Sequence, residues 1–221
     1  IRNILSIVIP NHHLFRLAGF FTKFVKPFKF LFSKKIKGMI TLMPTNFPKK
    51  EMKDKTVYPV ENGNKIARVA LLTGCVQKVI SPQINEATIR LLNRHGVEVV
   101  VPKKINCCGS LNHHLGKENS AHKEFKNNIL HWYNEYSKDG LDAIISNTSG
   151  CGTTIKDYGF IYRGDAELEN KAKKISELTK DISEYLSDNL KLNFKDNNKV
   201  YKIAYHSACS MQHGQKIHSK P

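Results

Sequence analysis

The chain has 221 residues, 40% of them hydrophobic, which is enough for one well-packed core and part of a second domain. Its net charge of +16 is concentrated in residues 1–55, which hold twelve Lys or Arg and only two acids. Because the remaining charge is mild and no recognised nucleic-acid module accompanies it, we expect no nucleic-acid partner. No apolar run reaches about 18 residues, so the sequence predicts no helix that spans a membrane by itself.

Residues 1–40 form a basic, phenylalanine-rich segment that we expect to be helical, with Pro27 ending or kinking its main helix. Two interpretations stay open. The helix packs on another part of the protein, or it lies on a membrane surface, since Phe with Lys is the composition that suits anionic lipid. Residues 41–64, with three prolines and scattered lysines, read as a linker.

Short apolar runs and amphipathic stretches alternate from residue 65 onward. This alternation predicts an α/β fold with a doubly wound, mainly parallel sheet. We assign residues 65–195 to one cysteine-rich domain and residues 196–221 to the start of a second. The predicted strands are 67–73, 97–101, 141–146 and 201–205, and the predicted helices are 83–95, 119–136 and 167–190.

Four cysteines follow the predicted strands. Cys75 comes after the first strand, Cys107 and Cys108 after the second, and Cys151 after the third. Connections of this kind place the carboxyl ends of parallel strands on one edge of the sheet, where ligands bind in open α/β folds. We therefore expect the four thiols to meet in one crevice.

Clustered cysteines in a chain without a secretion signal favour metal or redox chemistry over disulfides, and we expect a cytoplasmic protein. The intervals between the cysteines are wide for a structural zinc site, which usually uses closely spaced pairs. An iron–sulfur cluster suits glycine-flanked thiolates, and a glycine adjoins each cysteine-bearing loop. Zinc, a thiol–disulfide pair and unrelated buried cysteines stay open as alternatives. We expect His113 and His114, near the double cysteine, to be ordinary loop residues.

Three stretches carry a family resemblance: Leu72-Thr-Gly-Cys-Val-Gln77, Ile105-Asn-Cys-Cys-Gly-Ser110 and Thr148-Ser-Gly-Cys-Gly152. With them, residues 67–160 resemble the CCG-type cysteine-rich domain of heterodisulfide reductase subunits and of iron–sulfur subunits of flavin dehydrogenases. The likeness is greatest to the glycolate oxidase (glycolate dehydrogenase) iron–sulfur subunits. Ala204-Tyr-His-Ser-Ala-Cys209 looks like the opening of a second copy of the domain.

The resemblance implies an electron-transfer subunit of a 2-hydroxy acid dehydrogenase complex that oxidises glycolate to glyoxylate. It implies an iron–sulfur cluster of the 4Fe–4S type held by Cys75, Cys107, Cys108 and Cys151, with Cys209 as a metal ligand of the second copy. FAD is expected on partner flavin subunits and not on this chain. The acceptor would be linked to the quinone pool, which places the protein at the inner face of the membrane. The resemblance also makes the sequence a fragment of a longer protein with ferredoxin-like motifs upstream.

One departure from the pattern affects the site. The fuller motif ends in a CxxC pair, and here its first position is Thr148, so one thiol fewer is present. Four thiols still suffice for one cubane cluster. A docking or scaffold module without its own cluster, and a thiol–disulfide reductase subunit, therefore stay open as alternative functions.

Overall fold

The computed structural model describes residues 1–44, 47–48, 56–61, 63–105, 107–192 and 199–220. A five-stranded sheet in the order β1-β3-β2-β4-β5 lies at its centre. β2 pairs in parallel with β3 and with β4, β4 pairs in parallel with β5, and β1 adds to β3 as an antiparallel edge strand. The predicted α/β, mainly parallel architecture is confirmed. The strands are β1 Val57–Tyr58, β2 Ala67–Leu72, β3 Val97–Val100, β4 Ala143–Ser146 and β5 Thr179–Asp181.

Helices cover both faces of the sheet, and therefore its central strands are apolar on both sides. Along β2, Ala70 and Leu72 face one core, which contains Trp132, whereas Val69 and Leu71 face the other. The helices of this part are α4 Gln77–Ile80, α5 Pro82–Arg94, α6 Ser110–His114, α7 Glu118–Asp139, α8 Ser149–Lys156, α9 Tyr158–Ile161, α10 Glu169–Leu178 and α11 Ile182–Asn189.

The order of the strands creates a switch point in the sheet. From β2 the chain passes through α5 to β3 on one side, and it then crosses back through α7 to β4 on the other side of β2. The loops that follow β2 and β4 therefore leave their strands next to each other and in diverging directions. In open α/β sheets this is where ligands bind.

Three helices precede the sheet: α1 Arg2–Val8, α2 His12–Val25 and α3 Lys34–Leu42. The predicted effect of Pro27 is confirmed, since α2 ends at Val25 and the chain continues as a 3₁₀-helix over Lys26–Leu31. Phe15 and Ile40 are buried in this part. Within the described residues no single helix meets the length and hydropathy needed to cross a bilayer. The bent pair Arg2–Val8 and His12–Leu31 meets them only when its two members are taken together.

Two expectations about secondary structure were wrong, and one more feature was not expected. The predicted helix 167–190 is two helices with β5 between them, because Asp181 caps the second one: its carboxylate accepts from the Ser183 amide at 3.0 Å, in a capping box with Glu184. The predicted strand 201–205 pairs with no described strand and is exposed. The segment 41–64, predicted as a linker, contains β1. Residues 45–46, 49–55 and 62 of this segment lie outside the described residues. The same holds for residues 193–198, around the predicted start of the second domain.

Candidate metal centre

The structure brings four of the five cysteines into contact at the carboxyl edge of the sheet. Cys75 lies in the loop after β2, Cys107 and Cys108 lie in the loop after β3, and Cys151 lies in the first turn of α8, after β4. Thiol hydrogen bonds connect them in series, from Cys75 to Cys107, from Cys107 to Cys108 and from Cys108 to Cys151. All are free thiols. Sulfurs that are distant in the sequence thus form one contiguous group.

This environment raises the pKa of three of these thiols, those of Cys75, Cys107 and Cys108. The hydrogen bond that Cys75 donates to Cys107, together with burial, raises the pKa of Cys75 far above its usual value. The pKa of Cys107 is raised by its bond to Cys108 and by burial. At Cys108 the bond from Cys107 lowers the pKa, but the bond to Cys151 and burial outweigh it, so the pKa is raised. A cation that binds here must displace these protons.

Backbone amides point at the sulfurs. The Gly109 amide donates to Cys107 Sγ at 3.4 Å, and the backbone at Val76 and Ser110 lowers the pKa of Cys75 and of Cys108 in opposition to burial. Such donors stabilise the thiolate form and lower the thiol pKa. Hydrogen bonds from amides to cysteine sulfur are also a general feature of iron–sulfur sites. The donor set therefore fits a cluster bound by thiolates.

Gly109 makes the double-cysteine loop possible. Its φ is +83°, a left-handed conformation that residues with a Cβ rarely adopt. A Cβ placed at this position would lie 2.3 Å from the buried ring of Phe125. A glycine is required here on both grounds, because the chain turns tightly and passes directly over α7.

Two buried polar side chains hold the carbonyls of the double cysteine. Asn128 Nδ2 donates to the Cys107 carbonyl and the Tyr158 hydroxyl donates to the Cys108 carbonyl, each at 2.7 Å. Asn128 also donates to the Tyr158 hydroxyl at 3.3 Å. Sequence reasoning missed Asn128 as part of the site. The available signal was an amide on the apolar face of α7, between Phe125 and Trp132.

A second amide network joins the loops that carry Cys75 and Cys151. Gln77 Nε2 donates to Asn85 Oδ1 at 2.7 Å and to Asn147 Oδ1 at 2.8 Å, and Asn147 Nδ2 donates to Asn85 Oδ1 at 3.0 Å. Thr148, at the position where the fuller motif has a cysteine, donates from its hydroxyl to Gln77 Oε1 at 2.9 Å. Thr148 is therefore part of the scaffold that fixes the two loops to each other.

A cavity of about 600 Å³ opens beside Cys107, between α7 and the N-terminal helices. Asn112 and Glu124 line it, and Asn112 Nδ2 donates to Glu124 Oε2 at 3.2 Å. Burial raises the pKa of Glu124 to about 7, although the bond from Asn112 partly opposes the rise. An acid that changes its charge near neutral pH therefore lies close to the thiol group.

Cys209 is exposed and lies outside this series of thiol contacts, so its role as a metal ligand stays a prediction. The segment that follows it packs on α8: Ser210 Oγ donates to Ser149 Oγ at 2.7 Å, and Gln215 Nε2 donates to the Ser149 carbonyl at 2.9 Å. His113 and His114 are exposed. Among the described residues no group of three or more His, Cys, Asp or Glu side chains is arranged to hold a single metal ion.

Comparisons with known proteins agree with this site. Residues 69–156 match the family described as CCG, cysteine-rich domain. The chain is 36% identical to the glycolate oxidase iron–sulfur subunit of Escherichia coli over 69% of this chain and 37% of that protein. It is 29% identical to the probable glycolate oxidase iron–sulfur subunit of Bacillus subtilis over 68% of this chain and 33% of that protein. It is 26% identical to lactate utilization protein A of a Geobacillus species over 65% of this chain and 58% of that protein.

No solved structure matches the chain. The matched part spans 37% and 33% of the length of the two glycolate oxidase subunits, so the comparison concerns about a third of each. The matched family range contains all four contacting cysteines. Residues 69–156 therefore match the CCG family of cysteine-rich domains, and over most of its length the chain is similar to glycolate oxidase iron–sulfur subunits.

Proposed function

We propose that this chain is an iron–sulfur electron-transfer subunit of a flavin-dependent 2-hydroxy acid dehydrogenase, with glycolate as the substrate of the whole complex. Cys75, Cys107, Cys108 and Cys151 would hold one 4Fe–4S cluster as thiolates. The observation that carries the proposal is the contact series of these four thiols at the switch point of the sheet. The names of the relatives, which are iron–sulfur subunits, support it.

When bound, the cluster supplies a one-electron carrier, and the residues of this chain set its surroundings. The Gly109 amide donates to Cys107 Sγ, and the backbone at Val76 and Ser110 lowers the pKa of Cys75 and Cys108, so all three stabilise the anionic state. Cys107 and Cys108 are 2% exposed, so little water reaches this side of the site. Low exposure and amide hydrogen bonds are the protein's means of tuning a cluster potential.

The proposal places substrate oxidation on partner subunits that carry FAD, and this chain passes their electrons to a quinone-linked acceptor. It also places the complex in the cytoplasm, at the inner face of the membrane. The names of the relatives support a multi-subunit assembly, because they are called subunits of glycolate oxidase.

A thiol–disulfide reductase is less well supported by the environment of the cysteines. The reactive form of cysteine is the thiolate. Three of the four thiols have raised pKa values, and two of them are nearly inaccessible. These properties suit a site whose thiols lose their protons to a bound cation.

Anaerobic reconstitution with iron and sulfide tests the proposal. We expect about four iron and four sulfide per chain and a visible absorption that dithionite bleaches. Cys108→Ser should remove most of the bound iron, because this residue lies in the middle of the thiol series. Cys209→Ser makes the same atomic change outside the series and should leave the iron content unchanged.

Other outcomes support the alternatives. Folded protein without iron, with no effect of Cys108→Ser on assembly with flavin subunits, would favour a docking module. One equivalent of zinc, held by the same cysteines and without sulfide, would replace the cluster by a structural metal. A redox-active dithiol in the metal-free protein, lost in Cys107→Ser, would identify a disulfide reductase.

A further inference from the structure

Helix α2 turns an apolar stripe toward solvent. Leu14, Leu17, Phe21 and Phe24 are spaced by three, four and three residues, which places them on one helical face. Their exposed fractions are 38%, 52%, 57% and 63%. The opposite face, with Phe15, packs inward. Single exposed apolar residues are ordinary, but a continuous exposed stripe marks an interaction site.

The apolar surface continues beyond α2. Phe28 and Phe30 of the 3₁₀-helix are 55% and 70% exposed, and Leu42 at the end of α3 is 85% exposed. On the other side Ile4 and Ile7 of α1 are 63% and 62% exposed. We call the exposed apolar residues of 1–44 together the N-terminal surface. It extends over all three helices of this part.

The charge of this segment indicates what it contacts. Residues 1–44 contain eight Lys or Arg and no Asp or Glu. Lys23, Lys34, Lys35 and Lys37 are exposed beside the apolar residues. Protein interfaces are depleted in lysine, whereas helices with aromatic and basic residues lie in the headgroup region of anionic bilayers. A partner surface that complements this segment therefore carries negative charge on its outside and is apolar beneath that charged layer.

The path of the chain favours lying on the bilayer over crossing it. The axes of α1 and of the helical stretch that follows differ by 116°. The apolar stripe of α2 runs along its length, and hence a helix parallel to the membrane plane buries the whole stripe at once. Phe20 and Phe24 pack edge to face with ring centroids 5.4 Å apart, which makes this face broad.

We propose that the N-terminal surface binds the headgroup–acyl boundary of an anionic phospholipid bilayer, with α2 in the plane of the interface. Apolar burial and electrostatic attraction act together, and stable attachment to a bilayer generally requires two such signals. This inference is independent of the thiol site. The prediction of vesicle binding and the prediction of iron content can therefore be refuted independently of each other.

Co-sedimentation of the whole chain with vesicles tests the inference. We expect binding to vesicles of phosphatidylcholine mixed with phosphatidylglycerol and much weaker binding to pure phosphatidylcholine. Added salt should weaken the binding, because ions screen the attraction. Equal binding to both vesicles, or no binding to either, would overturn the proposal.

The aromatic contribution has a matched control. Phe21→Ser with Phe24→Ser should weaken vesicle binding about 10-fold or more, since both rings leave the interface. Phe160→Ser removes a ring that is 65% exposed on α9, away from the N-terminal surface, and should leave binding unchanged. Far-UV circular dichroism and the unfolding midpoint show that the variants fold, as expected for exposed positions. Equal loss in both variants would contradict the assigned surface.

The electrostatic contribution is tested by an equal change of charge at two places. Each cation near an anionic bilayer strengthens binding about fivefold, so replacing three lysines should weaken it about 100-fold. If the control triple weakens binding as much, the attraction is a property of net charge and the proposal is wrong. If Phe21→Ser with Phe24→Ser instead converts an oligomer to a monomer, a second copy of the chain covers the N-terminal surface, and the lipid proposal also fails. The test triple is Lys34→Gln, Lys35→Gln and Lys37→Gln, and the control triple is Lys103→Gln, Lys138→Gln and Lys173→Gln.

Discussion

Replacing Gly109 by alanine is the sharpest test of the double-cysteine loop. The new Cβ meets two penalties, namely a φ of +83° and a distance of 2.3 Å to the ring of Phe125. The first penalty is about 1–2 kcal/mol for a residue with a side chain in the left-handed region. The second, overpacking in a closed core, is typically about 1–3 kcal/mol. We expect Gly109→Ala to lower the free energy of unfolding by about 2–5 kcal/mol.

Gly116 separates the two penalties. Its φ is +70°, so alanine meets similar backbone strain, but a Cβ there has no atom within 4 Å. Gly116→Ala should therefore lower the free energy of unfolding by only about 1–2 kcal/mol. Both substitutions reduce the entropy of the unfolded chain alike, so the difference of about 1–3 kcal/mol reports the contact with Phe125.

Urea unfolding of the three proteins, followed by circular dichroism, gives these differences, and iron content after reconstitution gives the effect on the site. In the double variant Gly109→Ala with Phe125→Leu the smaller side chain makes room, so we expect a favourable coupling of about 0.5–3 kcal/mol. Equal losses for Gly109→Ala and Gly116→Ala, together with unchanged iron content, would refute the claim that this glycine shapes the loop.

Three further predictions concern buried polar groups. Tyr158→Phe removes the hydroxyl that donates to the Cys108 carbonyl, so urea unfolding should show a loss of about 1–3 kcal/mol, with the exposed Tyr201→Phe as a neutral control. The pKa of Glu124 is raised by burial from 4.5 to about 7, so its contribution to stability is present below pH 4.5 and is lost as the pH rises through about 7. Glu124→Gln should flatten that part of the pH profile of the unfolding midpoint, and an unchanged profile would contradict this assignment. Arg68→Met leaves Glu135 unpaired and Glu98 with only the exposed Lys65, so it should lower stability by about 3 kcal/mol. It should leave the iron content of the folded protein unchanged, because Arg68 lies at the opposite end of β2 from the cysteines.

The sequence predicted what depends on local pattern. The apolar runs that became β2, β3 and β4 are continuous because these strands are buried on both faces. Gly96 and Gly140 mark the ends of α5 and α7. The convergence of Cys75, Cys107, Cys108 and Cys151 followed from topology alone, because parallel strands deliver their following loops to one edge.

The parts that were missed depend on distant contacts. β5 is a three-residue strand inside an amphipathic stretch, so its pattern does not differ from that of a helix, and pairing with β4 decides its conformation. The alternation of Tyr201, Ile203 and Tyr205 predicted a strand, but a strand also requires a neighbour. The amide network of Gln77, Asn85 and Asn147 links residues up to 70 positions apart, and no local pattern contains that information.

The packing of residues 210–215 on α8 has a mechanical consequence. Gln215 and Ser210 are both bonded to Ser149, two residues before Cys151, and a Cβ at Gly152 would lie 2.7 Å from the Gln215 amide. Residues 210–215 pack closely against α8, so a displacement of this segment is expected to move the first turn of α8 with it. A partner that pulls on the chain after Cys209 would thus change the strain on one corner of the thiol group without touching any of its sulfurs.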